Sequence, residues 1–473
     1  MKALPTCSSA FRLPWPLLLT LAAGPLPEAV GQAPTLTVRV TPTNTALLSW
    51  TALSTNQGYR VEYRDAVSGG AWLPCPWQDQ WPQTGTFWND PRPLASTRFY
   101  RVMALTTARG NLVTSNLTAS YTTNQLNALF ASYGIPLTAQ YPVDAFFTLY
   151  DTITADGGPT RASGMVMLPH NPGKAVPLLS HQHGTVVLTN EVPSQQYGEY
   201  AVGLYWASIG YATAMPDYLG MGSGSGLHPY VHARSEATAA IDLLRAARTL
   251  CAQRSLALNA QVFLVGYSQG GQATMATHKE IETWHTNEFT LAASAPMAGP
   301  HDMSGTMANL LTTNQPYTSP CYLPYVLFAY NSVYRLYDSV TQALVEPYAT
   351  RLPPLFDGRH SESQINAEMP SVPSQILKPE FLLAFQTDPQ HPFREALRRN
   401  DLYNWRPIAP MRLYHCAGDH TVPQINSIIA TNYFHLNGAT QVLLEDPCPM
   451  CDHGQGAFYC FFYAKVWFDT LKR

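Results

Sequence analysis

The chain has 473 residues, of which 46% are hydrophobic and 12% are charged, and its formal net charge is -3. This composition is typical of a packed globular protein and excludes a disordered chain. The small negative charge, with no cluster of basic residues, argues against nucleic acid as a partner and favours a neutral or apolar substrate.

Residues 1–31 have the pattern of a secretory signal peptide. A basic start is followed by a short apolar run at residues 17–23, and the small residues after it suit cleavage following Gly31 or Ala33. The alternative, an uncleaved anchor, needs about 20 apolar residues, and neither this run nor any later stretch is that long. We therefore expect a secreted or periplasmic protein without a transmembrane segment.

Cleavage would remove Cys7 and leave an odd number of cysteines, so at least one is free or pairs between chains. Because an exported chain meets oxidising conditions, we expect disulfides among the others. The pattern does not show which of them pair. The remaining cysteines are Cys75, Cys251, Cys321, Cys416, Cys448, Cys451 and Cys460.

Residues 34–122 are predicted to be all-β. Alternating runs, such as residues 36–40 and 59–64, are separated by turn residues. Together with Trp50 on the second predicted strand they resemble a fibronectin type III domain, a β-sandwich in which this tryptophan packs between two sheets. The segment departs from that family at Phe99, which occupies the usual position of a conserved tyrosine.

Four tryptophans lie in or beside a turn-rich segment of this domain. One interpretation is a surface on which carbohydrate rings stack, which would give the domain a polysaccharide or surface partner. The interpretation that we favour is core filling and loop anchoring. The four residues are Trp72, Trp77, Trp81 and Trp88.

Residues 140–473 alternate predicted strands with predicted helices, after a hairpin that turns at residues 156–158. This order predicts an α/β fold, with a mostly parallel sheet covered by helices on both faces. The predicted strands are residues 176–180, 211–215, 262–265, 291–295, 411–415 and 441–444, and the predicted helices include residues 199–209 and 235–251.

A segment at about residues 303–405 interrupts the alternation. It is rich in proline and aromatic residues, and we expect it to form a cap over the edge of the sheet. Five of its aromatics could line an acyl pocket, although packing inside the cap is an equally good interpretation for each. They are Tyr322, Tyr325, Phe328, Tyr330 and Tyr334.

The strongest functional signal is the pentapeptide GYSQG at residues 266–270, which lies between a predicted apolar strand and a predicted helix. A sharp strand-to-helix turn of this kind strains the serine backbone, and small residues on either side let the hydroxyl stand above the sheet. A G-x-S-x-G pattern alone is weak, but this context makes it strong. We therefore predict that Ser268 is a nucleophile rather than a bystander in a tight turn.

The acid and the histidine of such a hydrolase follow the serine in the chain. Asp419 comes directly after a late predicted strand, in a G-x-x-x-V-P run like the acid loop of many α/β-hydrolases, and its alternative role is a helix N-cap. His453 follows the last predicted strand in a glycine-containing loop, which suits a general base. Its competitors are His420, which lies next to the acid, and His415, which lies in a strand.

The run at residues 448–453, with sequence CPMCDH, has a second interpretation as a zinc site. A fourth ligand is not evident, and a thiolate site is disfavoured outside the cell. We instead expect a disulfide involving Cys448 or Cys451 that fixes the histidine loop, and we predict neither a metal nor a cofactor.

The tetrahedral intermediate of ester hydrolysis carries an oxyanion, which backbone N–H groups stabilise. In this class one N–H comes from the residue after the nucleophile, here Gln269. The other comes from the loop after an early strand, which is residues 181–185 in this chain, so we assign it to Thr185 or Gly184.

Several separated motifs in the expected order resemble the secretory lipase family of α/β-hydrolases. They are the segment HGT at residues 183–185, PDYLG at 216–220, GYSQGG at 266–271, Asp419 and His453. The resemblance implies hydrolysis of carboxylic esters through an acyl-enzyme, with a large helical cap between late strands. The N-terminal β-sandwich is not typical of fungal members and suggests a bacterial exported enzyme.

An esterase or lipase acting on a small-molecule or lipid ester is the leading hypothesis. The first alternative is a serine peptidase of the prolyl-oligopeptidase type, but the N-terminal segment is too short for the β-propeller of that class. The second is an adhesion protein with an inactive hydrolase domain, which would have no need to keep a serine, an acid and a histidine in order.

Overall fold

The protein is described by a computed structural model of residues 34–52, 58–65, 72–75, 77–78, 82–92, 97–105, 109–135 and 137–473. The chain divides into two compact units between residues 107 and 108. The expected signal peptide, residues 1–31, lies outside the described residues. None of the helices in the described ranges is long and apolar enough to cross a membrane.

The described residues of the N-terminal unit form two antiparallel sheets. The strands are β1 (Leu36–Val40), β2 (Ala46–Trp50), β3 (Gly58–Arg64), β4 (Leu73–Pro74), β5 (Phe87–Asn89) and β6 (Phe99–Leu105). One sheet has the order β1-β2-β5 and the other β4-β3-β6. Alternate residues of β2 face inward, so that Leu48 and Trp50 are buried, and the Trp50 ring contacts Tyr59 with centroids 5.6 Å apart. This packing is that of a small β domain.

Two of the tryptophans that could have formed a stacking surface are buried. Trp77 and Trp88 are buried, with 7% and 5% of their surface exposed. Trp72 lies under the guanidinium groups of Arg64 and Arg101, at 4.6 and 4.9 Å from the ring centre. Trp81 lies outside the described residues. The carbohydrate interpretation is therefore wrong for the two buried tryptophans.

The expected end of the first domain at residue 122 differs from the division of the structure. Strand β7 (Leu112–Tyr121) pairs antiparallel with β8 (Val143–Ile153) in the large sheet of the second unit. An alternating pattern identifies a strand but does not identify the sheet that it joins. Pairing uses backbone N–H and C=O groups, and these are the same in every strand.

The second unit contains a nine-stranded sheet within its described residues. After β7 and β8 its strands are β9 (Pro159–Pro169), β10 (Val176–Gln182), β11 (Ala212–Pro216), β12 (Leu258–Tyr267), β13 (Thr290–Met297), β14 (Met411–Tyr414) and β15 (Val442–Glu445). The order is β15-β14-β13-β12-β10-β11-β9-β8-β7, in which β10 to β15 run parallel. The chain leaves β10 toward β11 and returns to β12 on its other side. This reversal creates a crevice at the carboxyl ends of β10 and β12.

Helices cover both faces of the sheet, which confirms the predicted fold class. They are α1 (Thr123–Ser132), α2 (Tyr200–Ser208), α3 (Ala233–Gln253), α4 (Gln269–Trp284), α5 (Ala308–Thr312), α6 (Tyr322–Tyr334), α7 (Tyr348–Arg351), α8 (Glu362–Ala367), α9 (Pro379–Thr387), α10 (Pro392–Arg398), α11 (Ile425–Leu436) and α12 (His453–Leu471). Strand β12 shows why helices must cover both faces of the sheet, since it has apolar side chains on each face. Its Phe263 packs toward α2 and α12, whereas its neighbours Val262 and Leu264 pack toward α3.

The insertion between β13 and β14 is helical and has its own core. Helices α5 to α10 and several short 3-10 turns contribute buried side chains to one cluster. Leu327, Tyr330 and Phe385 are among its most buried members. The predicted cap at residues 303–405 is therefore present as a packed layer.

We predict that Phe263→Ala lowers the free energy of unfolding by about 3–5 kcal/mol, because the ring is fully buried between the sheet and two helices. Leu436→Ala is the matched control, since 80% of that side chain is exposed, and it should change the value by less than about 0.5 kcal/mol. Urea unfolding of both variants measures the difference. Equal effects would show that the ring does not pack as described.

Candidate active site

Ser268 stands at the turn between strand β12 and helix α4. Its backbone has a φ of 60° and a ψ of -125°, a left-handed conformation that a residue other than glycine keeps only when its surroundings hold it. A Cβ at Gly266 would lie 2.4 Å from the Gly270 carbonyl oxygen, and a Cβ at Gly270 would lie 2.0 Å from the Gln182 carbonyl oxygen. Both flanking positions therefore require glycine.

His453 is the first residue of helix α12 and lies against the serine. Its Nε2 atom is 2.8 Å from the Ser268 Oγ atom, and its Nδ1 atom is 2.5 Å from the Asp419 Oδ2 atom. The structure thus brings together the three side chains that the sequence singled out as nucleophile, base and acid.

The start of helix α12 is fixed from two directions. The Asp452 carboxylate accepts a hydrogen bond from the Gln455 N–H at 2.9 Å, which caps the helix. The Tyr267 hydroxyl donates to the His453 carbonyl oxygen at 2.7 Å. Because Tyr267 directly precedes Ser268, the nucleophile turn itself holds the backbone of the histidine. The sequence did not indicate this role for Tyr267.

Asp419 is buried, with 2% of its surface exposed. Burial by itself would raise its pKa, but hydrogen bonds with His415 and His453 outweigh that effect and lower the pKa to about 2. Its Oδ1 atom also accepts the N–H groups of Thr421 and Val422 at 3.0 and 2.9 Å. The carboxyl group is therefore ionised at neutral pH.

The other interpretations of this region do not fit the structure. Helix α11 begins at Ile425 with Gln424 at its N-cap position, so Asp419 is not a helix N-cap. His415 is buried, and its Nδ1 and Nε2 atoms contact Ser427 Oγ at 2.8 Å and the Val422 carbonyl oxygen at 2.7 Å. This histidine supports the acid from behind and does not face the serine.

The predicted oxyanion donors lie on both sides of Ser268. Gln269 opens helix α4, and the N–H of a first helical residue has no acceptor within the helix. A Cβ on Gly184 would lie 3.9 Å from Ser268 Cβ, so the loop after β10 does reach the nucleophile. However, the Gly184 N–H donates to Glu199 Oε1 at 2.7 Å. Gly184 is therefore not available as a donor, and Thr185 remains the candidate from this loop.

Glu199 fixes the loop after β10, a role that the sequence did not reveal. Besides the Gly184 N–H, it contacts His181 Nε2 at 2.5 Å. Burial works against ionisation, but the hydrogen bond with His181 outweighs it and lowers the pKa of Glu199. No local pattern could have indicated these contacts, because the three residues meet only after β10 and α2 have packed together.

The Gln269 side chain is held in a fully buried polar cluster. Its Nε2 atom donates to Glu236 Oε1 at 2.7 Å and to His228 Nε2 at 2.8 Å. Burial raises the pKa of Glu236 well above its ordinary value and lowers the pKa of His228 to about 3, so His228 is neutral at pH 7. The side chain of the residue after Ser268 is thus anchored by two buried partners.

The loop before His453 contains the disulfide Cys448–Cys451. This agrees with the expected disulfide in the histidine loop. The zinc interpretation of residues 448–453 loses its two thiolates, because both sulfurs are bonded to each other. The part of the chain that the structure describes contains no other group of histidine, cysteine and acidic side chains arranged to hold a metal ion.

The cap aromatics divide into two groups. Tyr330 and Tyr334 pack in the core of the cap, and the Tyr330 hydroxyl donates out of the cap to the Val231 carbonyl oxygen at 2.9 Å. Tyr325 and Tyr322 instead approach the oxyanion loop through Tyr230, whose ring stacks on Tyr325 at 4.2 Å and whose hydroxyl lies 3.1 Å from Thr185 Oγ1. Of these cap tyrosines, Tyr322 and Tyr325 therefore lie nearest the loop after β10.

Comparison with known proteins places this geometry in context. A family model described as secretory lipase matches residues 198–312, which include Ser268, whereas no curated protein matches the chain. The rice cell wall degrading esterase LipA from Xanthomonas oryzae is 32% identical, with a TM-score of 0.66 over 76% of this chain and 95% of LipA.

Two further structures are similar. A putative hydrolase from Legionella pneumophila is 27% identical, with a TM-score of 0.72 over 76% of this chain and 98% of that protein. Lipase A from Candida antarctica in its closed state is 16% identical, with a TM-score of 0.56 over 74% of this chain and 78% of the lipase, and shares the fold.

The similarity to LipA combines sequence identity with nearly complete coverage of that esterase, and the secretory lipase model matches the segment that carries the nucleophile turn. The residues matched by the secretory lipase model lie in the unit that contains the nine-stranded sheet. The chain therefore belongs to the family of α/β-hydrolases formed by secretory lipases and LipA-type esterases, and it is an enzyme that hydrolyses ester bonds.

Proposed function

We propose that this protein is a secreted serine esterase or lipase that cleaves carboxylic esters through an acyl-enzyme on Ser268. The observation that carries the proposal is the continuous chain of contacts from Ser268 Oγ through the His453 ring to Asp419 Oδ2, at 2.8 and 2.5 Å. A serine hydroxyl that contacts an imidazole, which in turn contacts a buried carboxylate, is the arrangement needed to activate a weak nucleophile.

In the first half of the reaction His453 Nε2 takes the proton of Ser268 Oγ as the oxygen attacks the ester carbonyl carbon. The ring then donates this proton to the departing alcohol, which leaves the acyl group on the serine. In the second half a water molecule loses a proton to the same nitrogen and attacks the acyl carbon. The bond between the acyl carbon and Ser268 Oγ then breaks, Oγ takes the proton back from Nε2, and the acid leaves.

Asp419 stays ionised throughout this cycle, because its pKa is about 2. Its contact with Nδ1 keeps a proton on that nitrogen and leaves Nε2 free to accept the serine proton. The carboxylate also stabilises the imidazolium that forms in each half-reaction. Its own hydrogen bonds from the 421 and 422 amides keep it in place.

The developing oxyanion would bind between the N–H groups of Gln269 and Thr185. One of these groups belongs to the start of helix α4 and the other to the loop after β10, so the hole depends on how that loop is held. The bond from the Gly184 N–H to Glu199 fixes the residue directly before Thr185. Loss of one such donor typically raises the barrier by about 3 kcal/mol.

Similarity to known proteins supports the substrate and the location that we propose. The name of the family indicates export, and we propose that residues 1–31 are the signal peptide removed in that process. LipA is described as degrading rice cell walls, so esters attached to a polysaccharide belong beside lipid esters among the candidate substrates. We also propose that the N-terminal unit is a fibronectin type III-like domain that contacts a polysaccharide or another surface, through residues other than Trp77 and Trp88.

We predict that a fluorophosphonate probe labels the wild-type protein and does not label Ser268→Ala, because the probe reacts with an activated serine hydroxyl. Ser132→Ala is the matched control, since Ser132 is exposed at the end of α1, and it should label like the wild type. Gel fluorescence measures the reaction. Labelling that persists in Ser268→Ala would disprove the role of this serine.

A series of p-nitrophenyl esters of increasing acyl length should be hydrolysed, whereas peptide anilides should not. The chain length with the highest kcat/KM then separates an esterase, which prefers short acyl groups, from a lipase. Release of p-nitrophenol and of the aniline is followed by absorbance. Cleavage of anilides with kcat/KM similar to that of esters would favour the peptidase alternative.

Asp419→Asn should lower kcat by roughly 10³–10⁴-fold, because an amide cannot hold the required tautomer of His453 or stabilise its cation. Asp338→Asn is the control, since Asp338 is exposed. Steady-state kinetics on one ester measures both. A loss smaller than tenfold would show that Asp419 is not the orienting acid.

The same variant should alter acid stability. The folded pKa of about 2 lies below the ordinary value near 3.9, so ionised Asp419 stabilises the folded chain above pH 4, and this contribution is lost as the pH falls toward 2. The wild type should therefore lose about 2 kcal/mol more than Asp419→Asn between pH 4 and pH 2. Urea unfolding at both pH values tests the difference, and parallel losses would contradict it.

A further inference from the structure

Four of the cysteines gather behind the histidine loop. Cys448 and Cys451 are joined in the disulfide that precedes His453. Cys416 follows strand β14 on the way to Asp419, and Cys460 lies in helix α12 after His453. All four belong to or pack against the same hydrophobic cluster. Cys416 and Cys460 are both fully buried thiols.

The two thiols face each other. The Cys416 Sγ atom lies 3.0 Å from the position that a Cβ on Gly456 would occupy. Cys460 is four residues further along α12 and therefore lies on the same face of the helix as Gly456. Interaction between the two side chains lowers the pKa of Cys416 and contributes to the raised pKa of Cys460. The two thiols therefore lie close together between the end of β14 and the helix.

The surrounding contacts hold this approach in place. The Tyr414 hydroxyl donates to the Tyr463 carbonyl oxygen at 3.4 Å, and the two rings lie 6.2 Å apart. These residues flank the cysteine pair, with Tyr414 two positions before Cys416 and Tyr463 three positions after Cys460. The strand end is therefore docked on the helix at a point beside the two thiols.

We propose that Cys416 and Cys460 form a second disulfide when the chain folds in the presence of a small-molecule disulfide such as oxidised glutathione. The Cys416 thiolate attacks one sulfur of the oxidant, forms a mixed disulfide and releases one thiol. The Cys460 thiolate then attacks the Cys416 sulfur and releases the second thiol. The two cysteines lose two protons and two electrons, and the oxidant gains both electrons.

The burial of both thiols restricts when the oxidant can act. Because both residues are buried in the folded protein, the oxidant must act before helix α12 has docked. Export into an oxidising compartment provides these conditions.

The remaining cysteines are placed differently. Cys251 packs with helix α3 in the core on the opposite face of the sheet, and Cys321 lies in the core of the cap. Cys75 belongs to the N-terminal unit. We expect these three to remain thiols in the folded protein.

The Cys416–Cys460 disulfide would connect the end of strand β14, which precedes Asp419, with helix α12, which begins at His453. It would therefore restrain the two elements that hold Asp419 and His453 at hydrogen-bonding distance. The disulfide is a covalent bond, so it can be detected whether or not the protein hydrolyses an ester.

The experiment uses the full chain, folded from the reduced and denatured state in a buffer of oxidised and reduced glutathione. The folded monodisperse fraction is denatured with iodoacetamide present and is mapped by mass spectrometry without reduction. We expect a linked Cys416–Cys460 peptide pair, together with alkylated Cys251 and Cys321. Alkylation of both Cys416 and Cys460, or a bond from either to Cys448 or Cys451, overturns the proposal.

Variants give a second readout. In Cys416→Ser the Cys460 side chain should change from unreactive to fully alkylated, whereas in the matched control Cys251→Ser it should stay protected. If Cys416→Ser does not fold, the map of the wild type alone still decides. Ser268→Ala should give the wild-type map, so a failure of the proposed catalytic role and a failure of this disulfide are separate results.

Discussion

Ser268 has a positive φ, and such a conformation costs about 1–3 kcal/mol for a residue other than glycine. The packing around it must supply that energy. Strand β12 leads into the turn and helix α4 leaves it, while the backbone of Gln182 lies so close to Gly270 that no side chain fits between them. This close approach fixes the positions of β10, β12 and α4 relative to one another. The crevice at the carboxyl ends of the two strands therefore has a fixed shape.

Burial and hydrogen bonds set the pKa values of the acidic side chains near Ser268. Asp419 and Glu199 are both kept ionised, because each receives hydrogen bonds from histidine and from backbone N–H, two such N–H groups for Asp419 and one for Glu199. Glu236 is buried with fewer partners, and burial raises its pKa well above the ordinary value. The two carboxylates therefore stand behind His453 and behind the loop after β10.

Much of this arrangement could be predicted from the sequence, because local patterns encode it. The GYSQG turn between a strand and a helix, an aspartate after one late strand and a histidine after the next are all short-range signals, and the structure brings those three side chains together. The alternating strands and helices likewise predicted the sheet and its two covered faces.

The rest depends on contacts between distant segments. Gly184 satisfied every local criterion for an oxyanion donor, and only the position of Glu199 removes it. Strand β7 has the alternating pattern of a sandwich strand, yet it pairs with β8 at the edge of the large sheet. The tryptophans of the N-terminal unit could be exposed or buried with the same local sequence. In each case the local sequence allowed two arrangements, and a contact with a distant segment of the chain determines which of them forms.

The contact between Ser268 and His453 joins residues 185 positions apart, and this separation has a consequence for the order of folding. Contacts between distant residues form late, because the intervening chain must first lose its conformational freedom. Strand β15 and helix α12 are also the last elements of the sheet and of its helical layer. A chain that is still being synthesised therefore contains Ser268 before it contains His453. The contact between these two residues can form only after the final helix has docked, so this part of the site is completed late in folding.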